Sequence, residues 1–342
     1  MPTIADVAAK AGVGLGTVSR VLNGSPRVSA ATRARVLSAI EVLDYRPSPL
    51  AQGLSRGRCQ TLGVVVPFFT HASAIERLRG VVAALDQSRY DLVLFNVESP
   101  LHRDEHLAAL TRRDRADGLL VLSLPVPEPD LERLTHAGVP VVLVDAMGRG
   151  VPMVVTDDIE GGRLAAQHLV GLGHRAIGFI GHNRDNPFGF TSSAQRELGF
   201  DAVLREARLP QRPELRRHGP HDREVARTLA TELLAEPDPP TAIFASSDVQ
   251  ATGVLAAARA AGCRVPEDLS VIGFDDIELS AYVGLTTVRQ PLYDSGFLGA
   301  QLLLDAVAGN TPDPVGHELP LQLVERHTTG APSGDRRPGA RG

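Results

Sequence analysis

Residues 5–21, ADVAAKAGVGLGTVSRV, decide how the N-terminal end of this chain folds. Ala8, Gly12 and Val18 stand four and six residues apart. Two helices that cross closely need a small residue on the first, here Ala8, and a residue free to take positive φ in the tight turn, here Gly12. They also need an apolar plug on the second, here Val18. Val7, Ala11, Val13 and Val21 complete a small core with a third helix. The second helix then projects Leu15, Gly16, Thr17, Ser19 and Arg20 outward. An arginine so placed can grip guanine O6 and N7 in a major groove. The spacing alone also suits an ordinary helical pair inside a larger fold.

Working outward, three short helices read at this end. The first spans about 4–11, with Thr3 as N-cap and Asp6 three residues on, a capping-box pattern. The second runs about 15–23 and stops at Gly24. The third runs about 30–44 behind Ser29, with Val36, Leu37, Ile40 and Leu43 on one face. Residues 1–58 hold eight Lys/Arg against three Asp/Glu, a net of +5, while the whole chain of 342 residues carries -5. A basic head on an acidic body points to a polyanion partner for the head, although such a bias also arises on an ordinary solvated face. RPSPLAQGLSRGRC (46–59) follows, punctuated by Pro and Gly. Its middle, 49–54, has room for one and a half helical turns, too short to be stable alone.

From residue 60 the pattern changes. Aliphatic runs at 61–67, 90–95, 117–123, 140–145, 175–181, 241–246 and 269–275 alternate with amphipathic segments at 73–88, 158–172, 193–208, 222–236, 247–262 and 293–308. Strands spaced by helices mean βαβ units and parallel sheets. About 270 residues exceed what one doubly wound sheet needs. The fold class expected is therefore an all-α helix-turn-helix headpiece joined to an α/β body of two lobes, each a parallel doubly wound sheet. The domains read as 1–45 (headpiece), 46–59 (hinge), 60–330 (two-lobed body) and 331–342 (a polar, Gly-rich tail expected to be disordered).

Several functional classes are disfavoured. No apolar stretch approaches the roughly 18 to 20 residues of a membrane span. MPTIADVAAKAG lacks the basic and apolar regions of a secretory signal. The two cysteines, Cys59 and Cys263, lack ligand spacing and fit a reduced cytoplasm better than a zinc site or a disulfide scaffold. Gly171-Leu-Gly173-His-Arg-Ala176 matches G-x-G-x-x-A, but here a helix precedes the loop and a strand follows it. That reverses the order a dinucleotide site needs, and Gly173 reads as a helix C-cap. No P-loop, nucleophile elbow or HExxH occurs, and the eleven histidines are scattered. No catalytic residue, metal or cofactor is expected.

In open α/β sheets, ligands bind beyond the carboxyl ends of the strands. That rule selects Phe68, Phe69, Asp145, Asn183, Asp248 and Asp275. Asp275 suits a helix N-cap equally well. Arg196 lies early in the helix at 193–208, below a loop holding Phe188 and Phe190; a surface salt bridge is its plainer reading. Aromatics total 4%, yet four phenylalanines fall in these two loops. Aromatic faces with carboxylates suit a pyranose ring, and also a nucleobase.

TIADVAAKAGVGLGTVSRVLNG (3–24) and RVSAATRARVLSAIEVLDYRPSPLAQGLSRG (27–57) strongly resemble the DNA-binding headpiece of the lactose/galactose-repressor family of bacterial regulators. HLVGLGHRAIGFIG (168–181), SVIGFDD (270–276) and TTVRQP (286–291) resemble the same family's ligand-sensing body, so the resemblance spans about 2–330. It implies that Leu15, Gly16 and Arg20 read bases, while Thr3, Thr17, Ser19 and Asn23 contact phosphates or settle the helix. It implies a hinge helix meeting the minor groove through Ala51 and Leu54, with Leu54 as an apolar wedge. It carries ligand contact onto Arg196 and Asp275, with Asp248 and the Phe190–Ser192 stretch also lining the pocket. Two departures stand out: Gly14 replaces the usual Ser N-cap, and Gly16 has no side chain to read a base. The function implied is a cytoplasmic homodimeric repressor on a pseudo-palindromic double-stranded DNA operator, switched by a mono- or oligosaccharide. The alternative from another class is a two-lobed sugar-binding transport protein.

Overall fold

The computed structural model of this chain describes residues 2–46, 59–112, 115–310 and 313–333. The hinge positions Ala51 and Leu54 and the tail from residue 334 lie outside the described residues.

The head consists of α1 (Ile4–Ala11), α2 (Leu15–Leu22) and α3 (Ala30–Val42). Thr3 Oγ1 accepts the Asp6 amide while the Asp6 carboxylate accepts the Thr3 amide, so the capping box forms. Gly12 ends α1 at φ 63°, the left-handed turn that lets α2 cross back. Val7, Ala8, Ala11, Val18 and Val21 are buried against Val36 and Ala39 of α3. Leu37, expected on that packed face, is instead 51% exposed. The inward stripe of α3 is Val36, Ala39, Ile40 and Leu43, at i, i+3, i+4 and i+7, and Leu37 lies about 100° off it.

The body alternates strands and helices. Its first part runs β1 (Thr61–Pro67), α4 (Ala72–Leu85), β2 (Asp91–Val97), α5 (Pro100–Leu110), β3 (Gly118–Leu122), α6 (Glu128–His136), β4 (Val141–Val144) and β5 (Met153–Val155). It continues with α7 (Asp158–Gly171), β6 (Ile177–His182), α8 (Ser192–Glu206), β7 (Arg216–Gly219), α9 (Arg223–Leu234), β8 (Ala242–Ala245), α10 (Asp248–Ala260), β9 (Ser270–Asp275) and α11 (Glu278–Tyr282). The last elements are β10 (Thr286–Arg289), α12 (Leu292–Ala308), β11 (Gly316–Glu318) and β12 (Gln322–Val324). All seven aliphatic runs contain strands. The unanticipated strands are three or four residues long, some polar, as in RRHG of β7, and some apolar but too short to read as a run, as in MVV of β5. The missed α5 did have a start signal, with Ser99 capping the His102 amide and Pro100 in the first turn.

Among the described residues the strands form two sheets, β11-β5-β4-β3-β1-β2 and β12-β10-β9-β8-β6-β7. Five strands of each follow one doubly wound order, and each gains an edge strand from the C-terminal segment: β11 parallel to β5, β12 antiparallel to β10. Strands β3, β4, β8 and β9 are buried throughout, as sheets covered by helices on both faces require. The chain passes between lobes three times: after β5, between β10 and α12, and between β11 and β12. Helix α12 thus returns from the second sheet to pack on α4 of the first. Helix α7 ends before Gly173, at φ 99°, and β6 follows, so this glycine loop lies behind a helix and not at the head of one.

Candidate functional site

The head presents one face of α2 to solvent. Leu15, Gly16 and Arg20 are exposed, and Thr17 and Ser19 half-buried. Gly14 occupies the N-cap with no side-chain hydrogen bond, yet the helix begins at Leu15. A methyl group on Gly16 would meet nothing within 4 Å, so this face is open. Thr3 is exposed at the start of α1, and Asn23 Nδ2 donates to Ser19 Oγ at 3.4 Å.

Between the lobes lies a cavity of about 580 Å³. Of the residues expected there, Phe68, Asp145, Phe190, Ser192, Arg196 and Asp275 line it. Four expected residues do not. Phe69 is 41% exposed and turned outward, its amide donating to Asn96 Oδ1. Asn183 is exposed directly after the end of β6. Phe188 is buried in the apolar core of the first lobe, although its loop belongs to the second. It stacks on Phe190 at 5.1 Å and meets Phe68 edge-on at 5.7 Å. Asp248 lies behind the cavity wall, accepting from Ser280 Oγ and Thr287 Oγ1 at 2.6 Å each and from the Ile277 amide at 3.0 Å. Its position at the start of α10, after a strand end, satisfied the sequence rule, but its oxygens are spent on the neighbouring strand and turn.

Arg196 is not a surface ion pair. It is 4% exposed, donates from Nε to Asp158 at 2.8 Å and from Nη1 to the Ser246 carbonyl at 2.6 Å, and lies 3.6 Å over the Phe274 ring. Asp275 is not a helix cap, since Ile277 holds that place for α11. Its backbone is left-handed at φ 119° and its carboxylate accepts from Gln290 Nε2 at 2.6 Å. Burial pushes its carboxyl up to about 6, against the pull of Arg196. Burial likewise raises Asp158, and burial with the nearby Asp275 charge raises Asp248 to about 7.

Groups outside the sequence reading complete the site. Arg77 of α4 is 3% exposed and pairs with Asp145 at 2.9 Å. Its guanidinium also donates to Gln290 Oε1 at 3.1 Å, and Ser123 Oγ donates to Asp145 at 2.9 Å. Gln290, on the second crossover, therefore ties Arg77 of one lobe to Asp275 of the other. Three imidazoles line the cavity: His71 from the first lobe, His182 and His221 from the second. Ring centroids are 5.1 Å apart for His71 and His221 and 4.7 Å for His182 and His221. Burial keeps all three below the usual histidine range, His221 down to about 4, so they are neutral at neutral pH. Among the described residues no group of three or more His, Cys, Asp or Glu is placed to hold a metal ion.

Comparison with known proteins decides the lineage. Residues 3–48 match the family described as bacterial regulatory proteins, lacI family, and residues 166–329 match a periplasmic binding protein-like domain. Catabolite control protein A of Priestia megaterium is 34% identical over 331 residues, covering 96% of this chain and 99% of that protein. The chain belongs to the lacI family of bacterial regulators. The transcriptional repressor PurR of Yersinia pestis (strain Pestoides F) is 33% identical over 334 residues, 96% of this chain and 97% of that one. A structure of the regulator CelR in complex with cellobiose has a TM-score of 0.69 at 35% identity, covering 96% of this chain and all of the other. The lac repressor dimer bound to operator and an anti-inducer has a TM-score of 0.81 at 29% identity, covering 96% and 99%. These relatives are regulators, and no helix of the described residues is long and apolar enough to cross a membrane.

Arg77 and Gln290 escaped the sequence reading because they reach the cavity from helix α4 and a crossover, whereas His182 ends the aliphatic strand β6 and was within reach of the strand-end rule. TTVRQP, which contains Gln290, had been noted as a motif but given no role.

Proposed function

We propose that this lacI-family regulator is a cytoplasmic transcriptional repressor whose grip on a pseudo-palindromic DNA operator is set by a sugar bound between its lobes. The observation that carries the reading is the pairing, in one chain, of an exposed α2 on a basic head with a polar and aromatic cavity between two lobes. In this reading residues 1–45 read DNA, 46–59 form the hinge with Ala51 and Leu54 in the minor groove, and 60–330 sense the ligand. Leu15, Gly16 and Arg20 face bases; Thr3, Thr17, Ser19 and Asn23 face the backbone. Gly16 offers no side chain, so base discrimination falls on Arg20 and Leu15.

Asp145, Arg196 and Asp275 supply charged hydrogen-bonding groups, with Phe68 and Phe190 as apolar faces. Carboxylates and guanidinium bind hydroxyls while aromatic rings pack on C–H faces. The CelR–cellobiose and lac repressor structures support both the sugar and the operator. A homodimer matches a two-fold operator, and exposed Ile75, Leu279, Tyr282 and Val283 offer apolar surface for a second copy. We assign no catalytic role, and the headpiece match weighs against a transport protein.

The test is to sequence the random DNA fragments the purified protein retains, then to titrate sugars, nucleobases and amino acids against the complex. A two-fold symmetric consensus released by a sugar is expected. Failure to enrich any sequence would overturn the repressor reading. Release by a nucleobase or an amino acid with no sugar effect would reject the sugar alone.

A further inference from the structure

The two lobes repeat one device. In the first, Arg77 lies three residues before Gly80 on α4. In the second, Arg196 lies three residues before Gly199 on α8. A methyl group on Gly80 would collide with the Tyr293 carbonyl oxygen of α12, and one on Gly199 with the Ile159 carbonyl oxygen of α7. The reciprocal glycines, Gly296 and Gly162, press on the carbonyls of Arg77 and Arg196 themselves. Each arginine is therefore fixed at the closest point of a glycine-packed helix crossing. Asp145 and Asp275 repeat too: they end β4 and β9, equivalent strands in the shared sheet order, and both have left-handed backbones, φ 55° and 119°. The cleft so presents an arginine and an aspartate from each side.

The repeat is incomplete in its hydrogen bonding. Arg196 uses its Nε on Asp158, whereas the Arg77 Nε is buried without a partner, although Arg77 lines the cavity. His182 Nε2, on the opposite lobe and also at the cavity, is likewise buried and unpartnered among the described groups. Buried polar atoms are left open at a cost, so both side chains gain if the cleft rearranges around a ligand.

We propose that Arg77 is a specificity-determining effector contact from the first lobe, its guanidinium donating to an oxygen of a neutral, hydroxyl-rich ligand that the His182 ring meets from the second. This rests on the sugar-sensor reading and narrows it to uncharged saccharides. The charge inventory is the reason. Both deep arginines are already paired, and they face three carboxylates, Asp145, Asp158 and Asp275. The imidazoles around them are neutral. No cation is left over for a phosphate or a carboxylate, while hydroxyls both donate to the aspartates and accept from Arg77. Because Arg77 also holds Gln290, and Gln290 holds Asp275, its ligand contact sits on the link between the lobes.

The test is calorimetry on the full chain with cellobiose, maltose, lactose and sucrose, glucose 6-phosphate as the charged probe, and monodeoxy derivatives of whichever disaccharide binds. A neutral disaccharide is expected to bind and glucose 6-phosphate not to. Arg77→Met is expected to weaken the disaccharide at least tenfold. One monodeoxy derivative should lose about as much on the wild type but bind Arg77→Met as well as the parent sugar does. That cancellation marks a direct contact, because a purely structural role for Arg77 would weaken every derivative alike. Arg77→Lys, which keeps a cation beside Asp145 but moves the donor, gives the same comparison should Arg77→Met melt below the assay temperature. Equal affinity in variant and wild type, or no cancellation with any derivative, overturns the proposal while the sugar reading stands. Binding of glucose 6-phosphate in preference to the neutral sugars overturns the charge argument and the proposal. Absence of binding by every sugar overturns proposal and reading together.

Discussion

Asp275 holds a raised carboxyl next to the cavity, and its titration has a definite sign. Burial pushes it up to about 6; Arg196 and Arg77 pull it down and Asp145 pushes it further up. With the folded value above the ordinary 3.8, the folded protein keeps a proton between about pH 4 and 6 that the unfolded chain has released. Its contribution to stability therefore falls as pH rises through that window. Ligand binding runs the other way, because a hydroxyl donor needs the ionised acceptor. Effector affinity is expected to rise from about pH 5 to pH 7 and to level off above, and Asp275→Asn to flatten the profile. Calorimetry across that range checks it, and a flat wild-type profile would oppose it. Asp248, behind the wall, should behave differently. Replacing it by Asn turns an amide toward the hydroxyls of Ser280 and Thr287 and the Ile277 amide, at a cost of about 1–3 kcal/mol. A lowered melting temperature with sugar affinity retained is the expected outcome; lost affinity at unchanged stability would return Asp248 to the pocket.

At the scale of the element, α2 is a complete reading helix despite two glycines near its start. Gly14 serves as an extended N-cap without a side chain, which costs a few tenths of a kcal/mol relative to a good cap. Gly16 leaves a gap on the exposed face. In the proposed reading, base-specific chemistry therefore falls on Arg20, at the far end of α2. Arg20→Ala is expected to cost about 1–3 kcal/mol per half-site and to relax preference at one base pair, leaving non-specific binding similar. Competition binding against a library of operator variants measures this. Equal weakening on all sequences would make Arg20 a phosphate clamp.

At the scale of the whole molecule, three chain crossings join the lobes, and Phe188 is the side chain of the second lobe buried in the core of the first. Phe188 leaves the second lobe on a loop braced by Asn186, whose side chain both donates to the Phe190 carbonyl and accepts its amide. The ring then enters the core of the first lobe beside Leu124 and Leu131. It acts as a bolt across the cleft. Phe188→Ala empties that socket, at a cost of up to about 3–5 kcal/mol if the site does not collapse. Because the cost falls only on the closed arrangement, the lobes are expected to open. Small-angle scattering should show a larger radius of gyration without ligand, and effector affinity should drop. An unchanged radius would mean that the crossings alone hold the lobes.

Periodicity determined the head and the sheet class by itself. The Ala8–Gly12–Val18 spacing, the Thr3–Asp6 capping box and the aliphatic runs are local patterns, and local patterns report local structure and which face is buried. Composition and charge separated head from body for the same reason. The cleft rule found Phe68, Asp145 and Asp275, whose positions depend on strand ends that sequence marks. It misjudged Phe69, Asn183 and Asp248, and the loop reading misjudged Phe188, because a residue at a strand end or in a nearby loop can turn outward, into the neighbouring lobe or behind the wall. His182 ends β6, where the same rule applies, but Arg77 and Gln290 belong to no local pattern. They meet only after α12 and the crossovers fold back, which brings residues 213 positions apart into one hydrogen bond. Glycines that permit that close helix crossing are legible in sequence only as glycines; what they press against is decided by the tertiary structure alone.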